Sequence, residues 1–391
     1  MTDGRRALAI STLGAGVAYA NLAVALPLVV LADGGSASAA GALIAANTLA
    51  FSAGALLAPV FSVPERCMPA GLAAIAVGAA LCAAAGGGPA PLAAGAVVHG
   101  VGMGLFWVGV QASLGRRAGN PGSQSTFVGQ YALYVAGTAA GGATTGAIVA
   151  IVHAVGAGDV ASVRVSFLVG AVAAAATLAP TISWARSAAP VPRPAGARAV
   201  RALWRDLGLQ IPALMLVSAM GMLLSLTPIV LRDDFRLRPI VIGLVAGMVA
   251  AAKAGGSVTA GRFATARGSR RAVSAMLAGS ALAAGLLVGA DRAWLFVALV
   301  VAATFFGIGV WPVVVDGALA RVSPEARREL SVAWNVREYA AIAATTAFGG
   351  YLLDVSGRPT LLLVLAATLL ACAAVSALAV LRRPVYAPAT T

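Results

Sequence analysis

Twelve mainly apolar stretches run through this chain of 391 residues, most of them at or beyond the roughly 20 residues a helix needs to cross a bilayer. They lie at 7–31, 38–61, 68–86, 91–114, 125–153 and 160–184, then at 208–231, 240–262, 271–290, 293–315, 330–352 and 360–382, parted by short breaks rich in Gly, Pro or Arg. Composition agrees: 60% of residues are hydrophobic and 10% charged, against roughly half and a quarter in soluble domains. A soluble core of this size could not hide so much apolar surface. The first stretch is too long for a signal-peptide core and has no clear small-residue cleavage site, so it is expected to stay as a membrane helix. The fold class expected is an all-α membrane protein with twelve transmembrane helices.

The segment 185–207 divides the chain. It carries Pro190, Pro192 and Pro194 and five arginines counting Arg186, and reads as a cytoplasmic linker between an N-terminal six-helix bundle, 1–184, and a C-terminal one, 208–391. The net charge of +14 would suggest nucleic acid until its distribution is counted. With the N-terminus inside, the cytoplasmic loops hold 19 basic and five acidic residues, while the outer loops hold six arginines and six aspartates. All of the net charge thus falls on one face, as the positive-inside rule requires, and both termini are expected in the cytoplasm. No nucleic-acid partner is implied.

Of 27 basic residues only Lys253 is lysine, and alanine and glycine abound, the coding bias of a GC-rich bacterial genome. The expected location is therefore a bacterial inner membrane. Cys67, Cys82 and Cys372, with His99 and His153, are scattered without metal-ligand spacing, so neither a metal site nor a cofactor is expected. No nucleophile–base set or nucleotide loop is present, and enzyme chemistry is not indicated.

The two halves repeat each other. Pro27 to Asp33 matches Pro228 to Asp234, and at an offset of 205 the run Gly102 to Phe106 matches Gly307 to Trp311. At that same offset Leu114 meets Leu319, Arg116 meets Arg321, Gln130 meets Asn335 and Tyr134 meets Tyr339. Six helices separate the copies, which gives a parallel repeat about an axis along the membrane normal.

Twelve helices, a parallel 6+6 repeat and a basic central loop resemble the major facilitator superfamily over essentially the whole chain. Its loop signature between helices 2 and 3 survives only as Glu65-Arg66, and the loop after helix 8 keeps Arg267 to Arg271 without an acid. In helix 5, Gly129, Gly137, Thr138, Gly141 and Gly142 resemble the glycine-rich motif of the family's drug exporters, with Thr138 in place of proline and Leu133 in place of a glycine. Close packing through small residues is the competing reading. Ala25 to Leu28 resembles the end of an exporter's first helix, without a preceding carboxylate. What the resemblance implies is alternating access about a central site.

A charge inside the bilayer is costly, and four fall in or at the edges of the spans: Lys253, Asp316, Arg337 and Glu338. Lys253 and Glu338 lie about 12–14 Å from the inner surface, on helices that flank the central cavity in the family, so a cluster of Lys253, Arg337 and Glu338 is expected there. It would bind an anionic group or exchange protons; a static ion pair is the structural alternative. The pairs Gln130/Tyr134 and Asn335/Tyr339 are spaced i,i+4, suiting a substrate held by hydrogen bonds at the midplane, or packing bonds between helices. Asn21, His99, Trp107 and Trp311 fall on helices that line the family's cavity. Asp316 and Arg321 are candidates for a gating pair. The function expected is secondary active transport by a monomer of a small-molecule substrate, with protons as coupling partner and efflux as direction. Uptake or exchange of a small organic anion, or flipping of a lipid-like substrate, stands as the alternative.

Overall fold

A computed structural model describes residues 2–61, 63–85, 88–115, 123–188, 207–319 and 324–381. With no water in the hydrocarbon core, every backbone N–H and C=O must be paired within its own segment, and the described residues accordingly form helices and no strand. The first half comprises α1 (Thr2–Ala32), α2 (Ala37–Leu57), α3 (Cys67–Ala84), α4 (Pro89–Gly115), α5 (Ser123–Ala154) and α6 (Asp159–Ala176, resuming as Leu178–Ser187). The second comprises α7 (Leu207–Asp233), α8 (Pro239–Arg267), α9 (Ser269–Leu287) and α10 (Ala293–Gly307, a 3₁₀ turn at Ile308–Val310, then Trp311–Leu319), followed by the helical run Pro324–Leu381.

That last run is two crossings. Gly357, at φ 73° and ψ 177°, leaves the helical region and separates α11 (324–356) from α12 (358–381). The hydroxyl of Thr345 bonds the carbonyl of Ser218 midway along α7, and Arg358 reaches Asp234 beyond its end. The chain therefore turns back at Gly357. Among the described residues ten helices are long and apolar enough to span a membrane, the last of them holding both α11 and α12, and the shorter apolar Arg271–Leu287 is α9. The twelve expected crossings are thereby present. Residues 189–206, most of the expected linker, lie outside the described residues.

Proline sets two local breaks. Pro180 has no N–H for the carbonyl of Ala176, and α6 is interrupted at Thr177. Pro312 likewise leaves the carbonyl of Ile308 without its helical donor, and the helix tightens to 3₁₀ just before Trp311.

The halves meet along α2 against α11 and α5 against α8. Both seams use glycine, because close backbone approach replaces the hydrophobic drive that lipid removes. A Cβ on Gly41 would lie 3.0 Å from the carbonyl of Thr346, and one on Gly243 would lie 2.5 Å from that of Gly142. The helix 5 glycines divide: Gly137 and Gly141 pack on α1 in their own half, while Gly142 and Gly146 pack on α8 in the other.

Candidate functional site

Two faces can be told apart: the start face, where α1 begins, and the opposite face, where α1 and α7 end. At the opposite face the Arg232 guanidinium donates to the Leu28 carbonyl at 2.8 Å, joining α7 to α1. Beside it, the Asp354 carboxylate at the end of α11 accepts from Ala37 N–H at 3.1 Å and Ser38 N–H at 2.8 Å. It thereby caps α2 from the other half, where the helix dipole favours an anion. Toward the start face, Asn335 Nδ2 donates to Gln111 Oε1 at 2.8 Å between α11 and α4, and the Ser52 hydroxyl bonds the Val336 carbonyl. Both ends of the seam are bonded across the halves.

Between these contacts lies a central cavity with about 190 Å³ of room for the centres of water molecules. Its walls come from both halves and are mostly apolar. Tyr19, Trp107, Tyr134, Tyr131 and Trp311 form a connected aromatic wall across α1, α4, α5 and α10. Ring centroids stand 5.9 Å apart for Tyr19–Tyr134, 4.8 Å for Trp107–Tyr134, 6.5 Å for Trp107–Trp311 and 5.3 Å for Tyr131–Trp311. Across the seam, Tyr339 stacks on Phe51 at 3.6 Å. Edge-to-face and tilted rings at these distances are favourable.

Two ionisable side chains of opposite sign line this space, Glu338 and Lys253. Glu338 Oε2 accepts the indole N–H of Trp334 at 2.7 Å and of Trp311 at 3.1 Å. Trp334 is one helical turn before it on α11, whereas Trp311 is placed by the break in α10. Lys253 lies on α8, with no carboxylate within 4.0 Å of its amine among the described residues.

Of the expected cavity-lining cluster Lys253/Arg337/Glu338, two members line the cavity. Glu338 is bound by indoles, Lys253 stands apart from it, and Arg337, a residue's turn away on α11, is outside the cavity lining. Tyr134, Tyr339, Trp107 and Trp311 do line the cavity. Gln130 does not: its amide donates to the Leu8 carbonyl at 3.0 Å and to the Thr12 hydroxyl, tying α5 to α1. Asn335 is spent on Gln111 and on the Ser331 carbonyl. Asn21 points away from the cavity, donating to the Thr145 hydroxyl and the Ser166 carbonyl, both at 2.8 Å. His99 is buried with Nδ1 3.4 Å from the Asn47 amide, outside the lining. The expected Asp316–Arg321 pair lies outside the described side chains. Among the described residues no group of three His, Cys, Asp or Glu could hold a metal ion.

Tyr19, Phe51, Tyr131 and Trp334 were not singled out from the sequence. A signal existed: Tyr19 and Tyr131, like Tyr134 and Tyr339, fall inside spans rather than at their ends, where interfacial aromatics gather.

A search among curated proteins found no sequence match. The family model described as Major Facilitator Superfamily matches residues 211–391. Among solved structures, the human organic anion transporter MFSD10 is similar at TM-score 0.74 and 14% identity, covering 96% of this chain and 99% of that one. The nucleoside transporter NupG follows at 0.71 and 11%, covering 96% and 99%. The Escherichia coli fucose:proton symporter FucP is similar at 0.67 and 12%, covering 95% and 97%. The chain is thus a multi-pass membrane protein with the major facilitator fold along its length, and its second half carries that superfamily's own sequence pattern.

Proposed function

We propose that this protein is a secondary active transporter that carries a small organic molecule with an apolar body through the central cavity by rocking of its two halves. One observation carries the reading: a cavity walled by aromatic rings from both halves contains a single carboxylate, Glu338, among its described lining residues. A buried ionisable group in a membrane protein faces a path for substrate or protons. Glu338 is the proton-exchanging group, with export against proton entry as the direction. The similarity to a fucose:proton symporter and an organic anion transporter supports solute transport as the class of function.

The test uses proteoliposomes with a pH-sensitive dye inside and candidate organic solutes added one at a time. Wild-type protein moves protons when a substrate is present, and Glu338→Gln moves none. Substrate flux indifferent to an imposed pH gradient would sink the reading. Lys253 favours a second one, exchange of a small organic anion, since its ammonium meets no carboxylate across the cavity. In that case Lys253→Met abolishes uptake of the anion while Glu338→Gln leaves it in place.

A further inference from the structure

Lys253 and Glu338 share one cavity and do not pair with each other. Two opposite charges in a low-dielectric space attract strongly, and flexible side chains normally close into an ion pair. Here geometry holds them apart. Glu338 is fixed by two indole N–H groups converging on Oε2, donated from α11 itself and from α10. Its Oε1 receives no hydrogen bond among the described residues, and the side chain is 6% exposed, toward the cavity it lines. Lys253 is on α8, whose crossing with α10 is set by backbone contact at Gly256, where a Cβ would meet Gly309 Cα at 3.1 Å.

We infer that the cavity takes a zwitterionic ligand with an aromatic or similarly apolar body, its carboxylate at Lys253 and its ammonium at Glu338 Oε1. This rests on the reading of the cavity as a transport site. The chemistry on each side is complementary. Lys253 offers three N–H donors and no acceptor, and Glu338 Oε1 offers lone pairs and no donor. Trp311, whose indole N–H binds the carboxylate, and Tyr131, whose ring centroid lies 5.3 Å from that of Trp311, line the same cavity and give this end of the site an aromatic lining. The wall from Tyr19 through Tyr134 to Trp107 gives the apolar body a surface to stack on. A ligand with one charge only leaves the other end of the site desolvated and unanswered, which costs affinity. A proton and the ligand ammonium compete for the same oxygen, which makes the two alternate passengers of one carrier.

Three matched probes separate the possibilities on the purified full chain: phenylalanine as zwitterion, phenylpropionate as anion and phenethylamine as cation. Binding is read at millimolar concentration by quenching of tryptophan fluorescence, and by thermal stabilisation. The wild-type protein binds phenylalanine most tightly, by roughly ten- to a hundredfold over either singly charged probe, the worth of one charged hydrogen bond. Lys253→Met loses phenylalanine binding and retains phenethylamine; Glu338→Gln retains phenylpropionate; Lys253→Arg restores phenylalanine. The wild-type ranking needs no variant, so a misfolded substitution leaves the test intact. Preference for phenylpropionate overturns the zwitterion assignment and leaves an organic-anion carrier standing. Equal binding of all three, or binding of none, overturns it as well, while the dye assay decides separately whether the protein couples solute to protons.

Discussion

Replacing Gly243 with alanine adds one methyl group where α8 crosses α5. That Cβ would sit 2.5 Å from the Gly142 carbonyl oxygen and 2.8 Å from Gly146 Cα, both backbone atoms that cannot swing aside. Ordinary contact begins at 3.4 Å, so the helices must part by about 0.9 Å there. Overpacking of this kind costs about 1–3 kcal/mol. The contact joins the two halves near the opposite face, so its cost falls on the conformation in which that face is drawn together. A conformation in which the face has opened does not bear it. The ratio of the two populations should therefore shift roughly 5- to 150-fold toward opening. Spin labels at Val155→Cys and Trp294→Cys report this, since those side chains are 79% and 64% exposed near that face, one on each half. The native Cys67, Cys82 and Cys372 are buried and leave the labelling selective. The distance distribution should gain a longer component. Gly137→Ala is the control, because its Cβ would strike the Leu13 carbonyl of α1 within the same half. It should lower the melting temperature and leave the distances unchanged. If Gly243→Ala melts earlier without moving the distances, or Gly137→Ala moves them equally, the α5–α8 seam is not part of the switch.

Asn335→Ala removes the 2.8 Å bond to Gln111 and leaves a buried amide oxygen unanswered, at about 1–3 kcal/mol, so the same labels placed at the start face should separate instead. Asp354→Asn weakens the cap on α2 by about 0.3–1 kcal/mol at this exposed helix end, which should raise the open population at the opposite face only a few-fold, reduced further by salt. Gln130→Ala unties α5 from α1 and should lower the melting temperature while substrate affinity stays as in the wild type; a loss of affinity with unchanged melting would return Gln130 to the site.

Sequence reasoning went furthest where one physical constraint acts on consecutive residues. Bilayer thickness imposes length on every span, so the twelve crossings were legible from runs of apolar residues, and the run past residue 324 resolves into two of them at Gly357. The offset of 205 correctly brought Tyr134 and Tyr339 to one cavity from opposite halves. For Gln130 and Asn335 the spacing left cavity and packing bonds both open, and each side chain bonds between helices. Four residues advance a helix by about 400°, which leaves neighbours one turn apart some 40° out of line. Gln130 falls on the α1 side of that difference and Tyr134 on the cavity side.

What the amino-acid order determines by itself is the number of helices, since it follows from local composition and from what lipid and water will accept. Which polar side chain meets which is decided only when helices pack, because rotation about each axis and the depth of each crossing are set by glycine contacts between distant segments. Glu338 shows the difference. Its burial followed from its place in a span, but the indole of Trp311, 27 residues away across a proline-broken helix, binds it only in the assembled bundle. That packing leaves Glu338 and Lys253, two members of the expected cavity-lining cluster, as separated charges facing one cavity.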